Sequence, residues 1–475
     1  DRPMICVLEL RERAREWSLR EDVVEKDYVL GWLLWGIASE PALADTWVFK
    51  GGTCLKKCYF ETYRFSEDLD FTVLEGSPVE PEALRTIFAA VGERLYEASG
   101  IEIPREQIRF EAYRTPRGGR SIEGRIYYRG PRRPGGDLPR VKIDLTLDEV
   151  VVYDPVRRPV THPYTDHFPT GALPSCYSFP EVFGEKLRAL AERCLPRDLY
   201  DVVSILRRPE ARGSAEVVLE VLKEKCRYKE IAVPTFASIE ASPRRAELES
   251  EWRNMLGHQL PELPPIALYL DGLRELFDWL EGRPAAPPVL RRAPVGANEI
   301  MWTPPATITT WGTGVPLEAI RFAGANRLCV DLGYQGSVRR VEPYSLRQTR
   351  DGQLLLFAVR RDTREDRSYR VDRIESARIT NEAFTPVYPV EFWPTAPISA
   401  PPLVRRQSSP APRPPATGRR RPRTSAGASG PRYVVQCSYC RKRFVRRDTN
   451  LAKHKMKGRQ YECPGRVGYV VRSAP

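Results

Sequence analysis

Trp47-Val48-Phe49-Lys50-Gly51-Gly52-Thr53, followed by Ser66-Glu67-Asp68-Leu69-Asp70-Phe71-Thr72-Val73, is the stretch on which the reading of the fold turns. The first run is β-prone until the glycine pair stops it, and Leu69 to Val73 is β-prone again. A strand, a glycine turn, a short helix and a second strand fit this spacing. Asp68 and Asp70 then stand at i and i+2 of a strand, so both side chains leave one face, roughly 6–7 Å apart along the backbone. Two carboxylates so placed can converge on one hard cation. Mg²⁺, which prefers oxygen ligands and keeps waters while contacting substrate phosphates, suits an open strand edge. Gly51-Gly52-Thr53 offers unshielded backbone amides to phosphate oxygens at a helix start, and Ser66 could add a hydroxyl donor.

Working outward, Glu21 to Ala38 reads as a core helix and residues 82–98 as another, while the Arg- and Gly-rich residues 114–137 read as a mobile hairpin or loop around a strand at Ile122 to Tyr128. Val141, Ile143, Leu145 and Leu147 alternate with Lys142, Asp144 and Thr146, which predicts a half-buried strand whose polar face carries a third carboxylate, Asp144; Asp148 is its nearest competitor. Ser178 and Glu181 have capping-box spacing and predict the start of a long helix. Lys186 and Arg193 lie seven residues apart on one face of that helix, where they could neutralise a triphosphate. Taken singly, an Asp-x-Asp is ordinarily surface charge and a Gly-Gly ordinarily a turn. Their order raises the odds: glycine pair, acidic pair, third acid, basic helix.

At 475 residues the chain is long enough for two to four domains. Its 44 prolines require linkers, expected at 284–316 and, as a basic Pro-rich disordered stretch, at 396–432. Net charge is +13, but residues 401–475 hold 19 Lys or Arg against Asp448 and Glu462, leaving the first 400 residues slightly acidic. Such a tail attracts a polyanion, nucleic acid foremost. No apolar run approaches the ~20 residues that cross a bilayer, and no basic-then-apolar leader follows Asp1, so the cytoplasm is the expected compartment. Cys6, Cys54, Cys58, Cys176, Cys194, Cys226 and Cys329 read as reduced core residues. Cys437-x2-Cys440-x13-His454-x8-Cys463 reads as a structural Zn²⁺ finger, over 433–470, and Arg441, Lys442 and Arg443 beside it make nucleic acid its expected ligand.

The stretches FKGGTCLKKCY, RFSEDLDF and EVFGEKLRALAERCLPRDLYDV, with EKDYVLGWLL before them, resemble the AbiEii/AbiGii toxin nucleotidyltransferases of the polymerase β-like superfamily. The resemblance implies an α+β nucleotidyltransferase core with a helical C-terminal part, over 1–283. Asp68 and Asp70 would be metal ligands, and Ser66 and Lys186 nucleotide contacts. Asp198 and Asp201 would complete the catalytic surface. It also implies an NTP substrate, an RNA acceptor such as a tRNA end, and a toxin or phage-defence role with a possible cognate antitoxin. Cys54 stands where the family often has a smaller residue. Residues 317–395, through Val330 to Tyr334, SVRRVEP, LLLFAVR and YRVDRIESA, resemble a WYL domain, an Sm-like β-barrel, with Leu354-Leu355-Leu356 in place of Trp-Tyr-Leu. That likeness implies a ligand site at Tyr334, Arg340, Arg370 and Arg373. A nucleic-acid-binding regulator that merely senses nucleotide is the alternative reading.

Overall fold

The structure, a computed structural model, describes residues 4–60, 64–115, 118–133, 135–208, 215–283, 290–301, 317–392, 433–437, 443–446 and 468–473. The chain divides into two compact units, Asp1–Gln407 and Ser408–Pro475.

The first unit is built on a seven-stranded sheet. Its strands are β1 (Trp47–Lys50), β2 (Asp68–Val73), β3 (Ile108–Arg114), β4 (Arg120–Tyr127), β5 (Arg140–Thr146), β6 (Val156–Arg157) and β7 (Ser175–Cys176), in the order β3-β4-β5-β2-β1-β7-β6. Strand alternation sorts the side chains. Phe49, Leu69, Phe71, Ile122, Ile143 and Leu145 are buried on one face, in a core shared with α1 (Val7–Glu16), α2 (Glu21–Ala38) and the helix Pro81–Ser99. The other face carries charge. α2 is buried nearly all round, from Val23 to Ile37 apart from Lys26, which explains why its apolar residues follow no single stripe. Residues 114–137, expected as a mobile hairpin or loop around a strand at Ile122 to Tyr128, contribute β4, one strand in from the β3 edge of the sheet, because Ile122 and Ile126 bury against this core.

Beyond the sheet, α3 (Phe179–Arg193), α4 (Pro196–Leu206), α5 (Ala215–Tyr228) and the helix Ala267–Leu280 form a second core. The expected capping box at Ser178 is not made. The Glu181 carboxylate turns inward to accept from the Val152 and Tyr153 amides and to pair with Lys225 at 2.8 Å. Of the cysteines expected in the core, Cys6 is exposed and caps α1, its sulfur accepting the Glu9 amide; the other six are buried.

The second core continues into the helix Leu317–Ala325 and a further sheet of β8 (Glu299–Met301), β9 (Leu328–Tyr334), β10 (Ser337–Thr349), β11 (Leu354–Arg360), β12 (Asp366–Arg370) and β13 (Ile374–Ala383). Its order is β12-β11-β10-β9-β13, with β8 on β10. The sheet curls far enough for the Arg370 amide to reach the Tyr334 hydroxyl at 3.4 Å, yet among the described residues no pairing joins β12 to β13. The expected Sm-like barrel is therefore an open sheet. Part of the expected 284–316 linker is also structured: buried Arg347 pairs with Glu299 at 2.9 Å and draws Glu299–Met301 into the sheet.

In the second unit, Tyr433–Cys437, Arg443–Arg446 and Gly468–Ser473 form a three-stranded antiparallel sheet. The zinc-ligand set lies outside the described side chains, as do Arg441, Lys442 and the 396–432 stretch; Arg443 is exposed at the start of its strand.

Candidate active site

The polar sheet face is ordered by register. Lys50 pairs with Asp70, Asp70 with Asp144 and Asp144 with Glu123, so four charged residues run in one row across β1, β2, β5 and β4. Asp68, Lys142 and Arg125 form the next row. Alternation places all of these side chains on the face away from the aromatic core. Lys142 bridges Asp144 at 3.0 Å and Glu123 at 3.1 Å.

The turn after β1 closes onto this row. Gly51 has φ +79°, and a Cβ there would lie 2.2 Å from Asp70 Oδ2, so both the conformation and the contact require glycine. A Cβ on Gly52 would lie 2.5 Å from the Arg64 guanidinium. Thr53 Oγ1 donates to the Asp68 carbonyl at 2.5 Å, tying the turn to β2 at its first residue. Ser66 lies half-buried in the segment leading into β2.

Burial, together with the negative charge of Asp70 and Asp144, pushes the Asp68 carboxyl up to about 6. Burial likewise raises Asp144, against the Lys142 hydrogen bond that lowers it. Asp144 Oδ1 is buried with no hydrogen-bond partner. Like charges crowded together beside an unsatisfied carboxylate oxygen are costly unless a cation joins them. Hard oxygen donors on an accessible strand face are the donor set that Mg²⁺ takes. Asp68, Asp70 and Asp144 are donors of the right chemistry for a divalent cation, but among the described residues their carboxylate oxygens do not gather within 4.8 Å of one another. Asp148 lies past the end of β5, where its carboxylate accepts from the Tyr228 hydroxyl at 2.6 Å.

Asp70, Gly51, Lys50, Lys186 and Arg193 line one cleft of about 940 Å³. Lys186 is buried and sits 2.7 Å from Asp201, whose carboxylate also receives Arg64 at 2.7 and 2.8 Å. Those two cations hold Asp201 well below the usual carboxylate range despite burial. Arg193 forks onto Asp198 at 2.7 and 2.8 Å. Asp198 and Asp201, expected on the catalytic surface, are both fully buried beneath the cleft, where they aim its basic side chains. Lys186 and Arg193 do share the cleft, as their spacing predicts.

Lys50 escaped the sequence reading. It is buried at the end of β1, its ammonium 3.3 Å from Thr146 Oγ1, and burial depresses its pKa against the pull of Glu149 and Glu185. A lysine ending a buried strand just before a glycine pair was the available signal. Arg64 was missed too; its partner is 137 residues away.

In the β8–β13 sheet, Arg340 is engaged by Asp331 and Glu382, and Arg370 by Asp372 at 2.6 Å. Tyr334 packs edge-on against Tyr369, and Arg373 lies in the turn before β13.

Residues 32–281 match the family described as nucleotidyl transferase AbiEii toxin of type IV toxin–antitoxin systems. Residues 316–379 match the WYL domain. Among solved structures, the chain is similar to MenT4, a nucleotidyltransferase toxin of Mycobacterium tuberculosis H37Rv, at 18% identity over 58% of this chain and 91% of that one, with a TM-score of 0.38. It is also similar to JHP933 of Helicobacter pylori, at 14% identity over 56% of this chain and 94% of that one, with a TM-score of 0.35. No curated protein matches the chain.

Proposed function

The chain belongs to the AbiEii nucleotidyltransferase toxin family, and from that premise we propose that it transfers a nucleotide from an NTP to an RNA acceptor, a tRNA end foremost, with Mg²⁺ held by Asp68, Asp70 and Asp144. In such a transfer the acceptor hydroxyl oxygen bonds to the α-phosphorus, the bond to the pyrophosphate oxygen breaks and pyrophosphate leaves, and the hydroxyl proton passes to solvent. Bound divalent cations supply charge stabilisation at the transferred phosphoryl and lower the barrier to using the hydroxyl as a nucleophile. The chain's own residues position the reactants. Gly51 keeps the turn open beside Asp70, while Lys50, Lys186 and Arg193 offer positive charge along the same cleft, where a triphosphate needs it. The observation that carries this reading is the Asp70–Asp144 pairing with the Gly51 bend packed on Asp70.

The basic tail supports nucleic acid, RNA or DNA, as a partner. Cys437, Cys440, His454 and Cys463 remain our proposed structural Zn²⁺ ligands, and a cognate antitoxin our proposed protein partner. The test is incubation of the full chain with Mg²⁺, each α-labelled NTP in turn, and total tRNA. The expected result is label in RNA with one NTP preferred, abolished by Asp68→Ala. No label from any NTP, or equal label with Asp68→Ala, overturns the proposal. Binding to a defined DNA operator, indifferent to the aspartates, would favour a nucleotide-sensing regulator instead.

A further inference from the structure

Behind the glycine turn, three cysteines from three different elements converge. Cys54 ends the single helical turn Gly51–Cys54, Cys58 lies in the π-helical turn Leu55–Tyr59 that follows, and Cys176 lies on β7, opposite Phe49 of β1. All three are buried, and their sulfurs all lie within 4.8 Å of one another. Among the described residues no other set of His, Cys, Asp or Glu gathers its ligand atoms so closely.

We propose that Cys54, Cys58 and Cys176 form a thiophilic metal site that takes Zn²⁺ or Cu⁺. Metal–sulfur bonds of about 2.3 Å place the sulfurs of a trigonal site about 4.0 Å apart, so the trio needs only sub-ångström contraction to close on an ion. Soft thiolates select these ions over Mg²⁺, which separates this site chemically from the aspartate row. Positive charge stands ready to offset the thiolates. The Arg158 side chain donates to the Cys58 carbonyl at 3.2 Å and stacks over Tyr59, whereas the Lys57 ammonium is engaged by Asp27 at 2.6 Å. Binding releases the thiol protons to solvent and changes no oxidation state. An ion here would brace the turn whose first residue touches Asp70, yet its binding does not depend on what the aspartates do.

The test uses the full chain carrying Cys437→Ser, Cys440→Ser and Cys463→Ser, so that the tail offers no thiols, kept reduced and equilibrated with Zn²⁺ or Cu⁺ in separate arms. One ion per chain is expected to survive dialysis in at least one arm. X-ray absorption should show a sulfur-only first shell at about 2.3 Å. Cys58→Ala and Cys176→Ala, each checked by circular dichroism for an intact fold, should weaken retention by at least about 100-fold. Should either variant fail to fold, the absorption spectrum of the parent decides: a sulfur shell supports the site, and an oxygen or nitrogen shell overturns it. Retention of neither ion, or retention undiminished in the folded variants, also overturns it.

Discussion

The Lys186 ammonium lies 2.7 Å from the Asp201 carboxylate, and both groups are buried. Arg64 completes the set, so one anion holds two cations, one of them on the cleft that contains Asp70. Removing the anion strands both. Asp201→Ala is expected to cost about 3–5 kcal/mol of stability, read from urea unfolding. Lys186→Met, which keeps the stem and drops the charge, is expected to lower kcat/KM for nucleotide transfer by about 10²–10³-fold while leaving the fold intact. A Lys186→Met enzyme with parental kcat/KM would remove Lys186 from the site.

Gly51 and Gly76 both have positive φ, +79° and +87°, but only Gly51 has a neighbour in the way. Alanine at either position carries the strain of a left-handed backbone, about 1–2 kcal/mol. At Gly51 it must also displace the Asp70 carboxylate. Gly51→Ala should therefore abolish most transfer activity, whereas Gly76→Ala should lower the melting temperature alone. Equal activities in the two variants would dissociate the turn from the carboxylate row.

Asn326, after the helix Leu317–Ala325, accepts hydrogen bonds from Tyr200 at 3.0 Å and Tyr269 at 2.8 Å, all three being buried. Tyr200 directly precedes Asp201. The WYL part thus touches the element that carries a buried partner of Lys186. Asn326→Leu removes the amide oxygen that both buried phenols share and is expected to cost about 1–3 kcal/mol. Calorimetry of the chain should show a lowered transition, and a melting curve identical to the parent's would mean that this contact does not join the two parts.

Acid sensitivity should have a contribution from His162. Its ring packs against Phe168 with centroids 4.4 Å apart, Nε2 lies 2.8 Å from Asp166, and Nδ1 has no partner. Burial holds its pKa below the usual 6.5, against the pull of Asp166. Above about pH 6.5 the ring is neutral in both the folded and the unfolded chain, so it adds no pH dependence. As pH falls through about 6.5 the unfolded chain takes the proton first, and stability is lost until pH drops below the depressed folded-state value. His162→Gln, which retains a donor for Asp166, should flatten that slope in urea titrations between about pH 7 and about pH 5. An unchanged slope would assign it to other groups.

Local patterning made the carboxylate row legible. Alternation alone put Asp68 and Asp70 on one strand face and Asp144 on another, and the sheet register then set Asp70 beside Asp144. What alternation cannot convey is partnership across the chain. Lys50 looks like the end of an apolar strand until β5 brings Thr146 against it. Glu181 reads as a helix cap until the Val152 and Tyr153 amides claim it. Val330 to Tyr334, SVRRVEP and LLLFAVR carry the likeness to a β-barrel domain, but barrel closure depends on whether β12 meets β13, a long-range pairing that no local pattern encodes.

Divalent-cation occupancy at the aspartates is the most direct measure of the central claim, and Mn²⁺, as a paramagnetic substitute for Mg²⁺, makes it readable by electron paramagnetic resonance. The account predicts nucleotide-dependent Mn²⁺ binding by the full chain that is lost in Asp70→Asn and in Asp144→Asn, both with parental circular dichroism. Equal Mn²⁺ binding by the parent and both variants in the presence of NTP would contradict it.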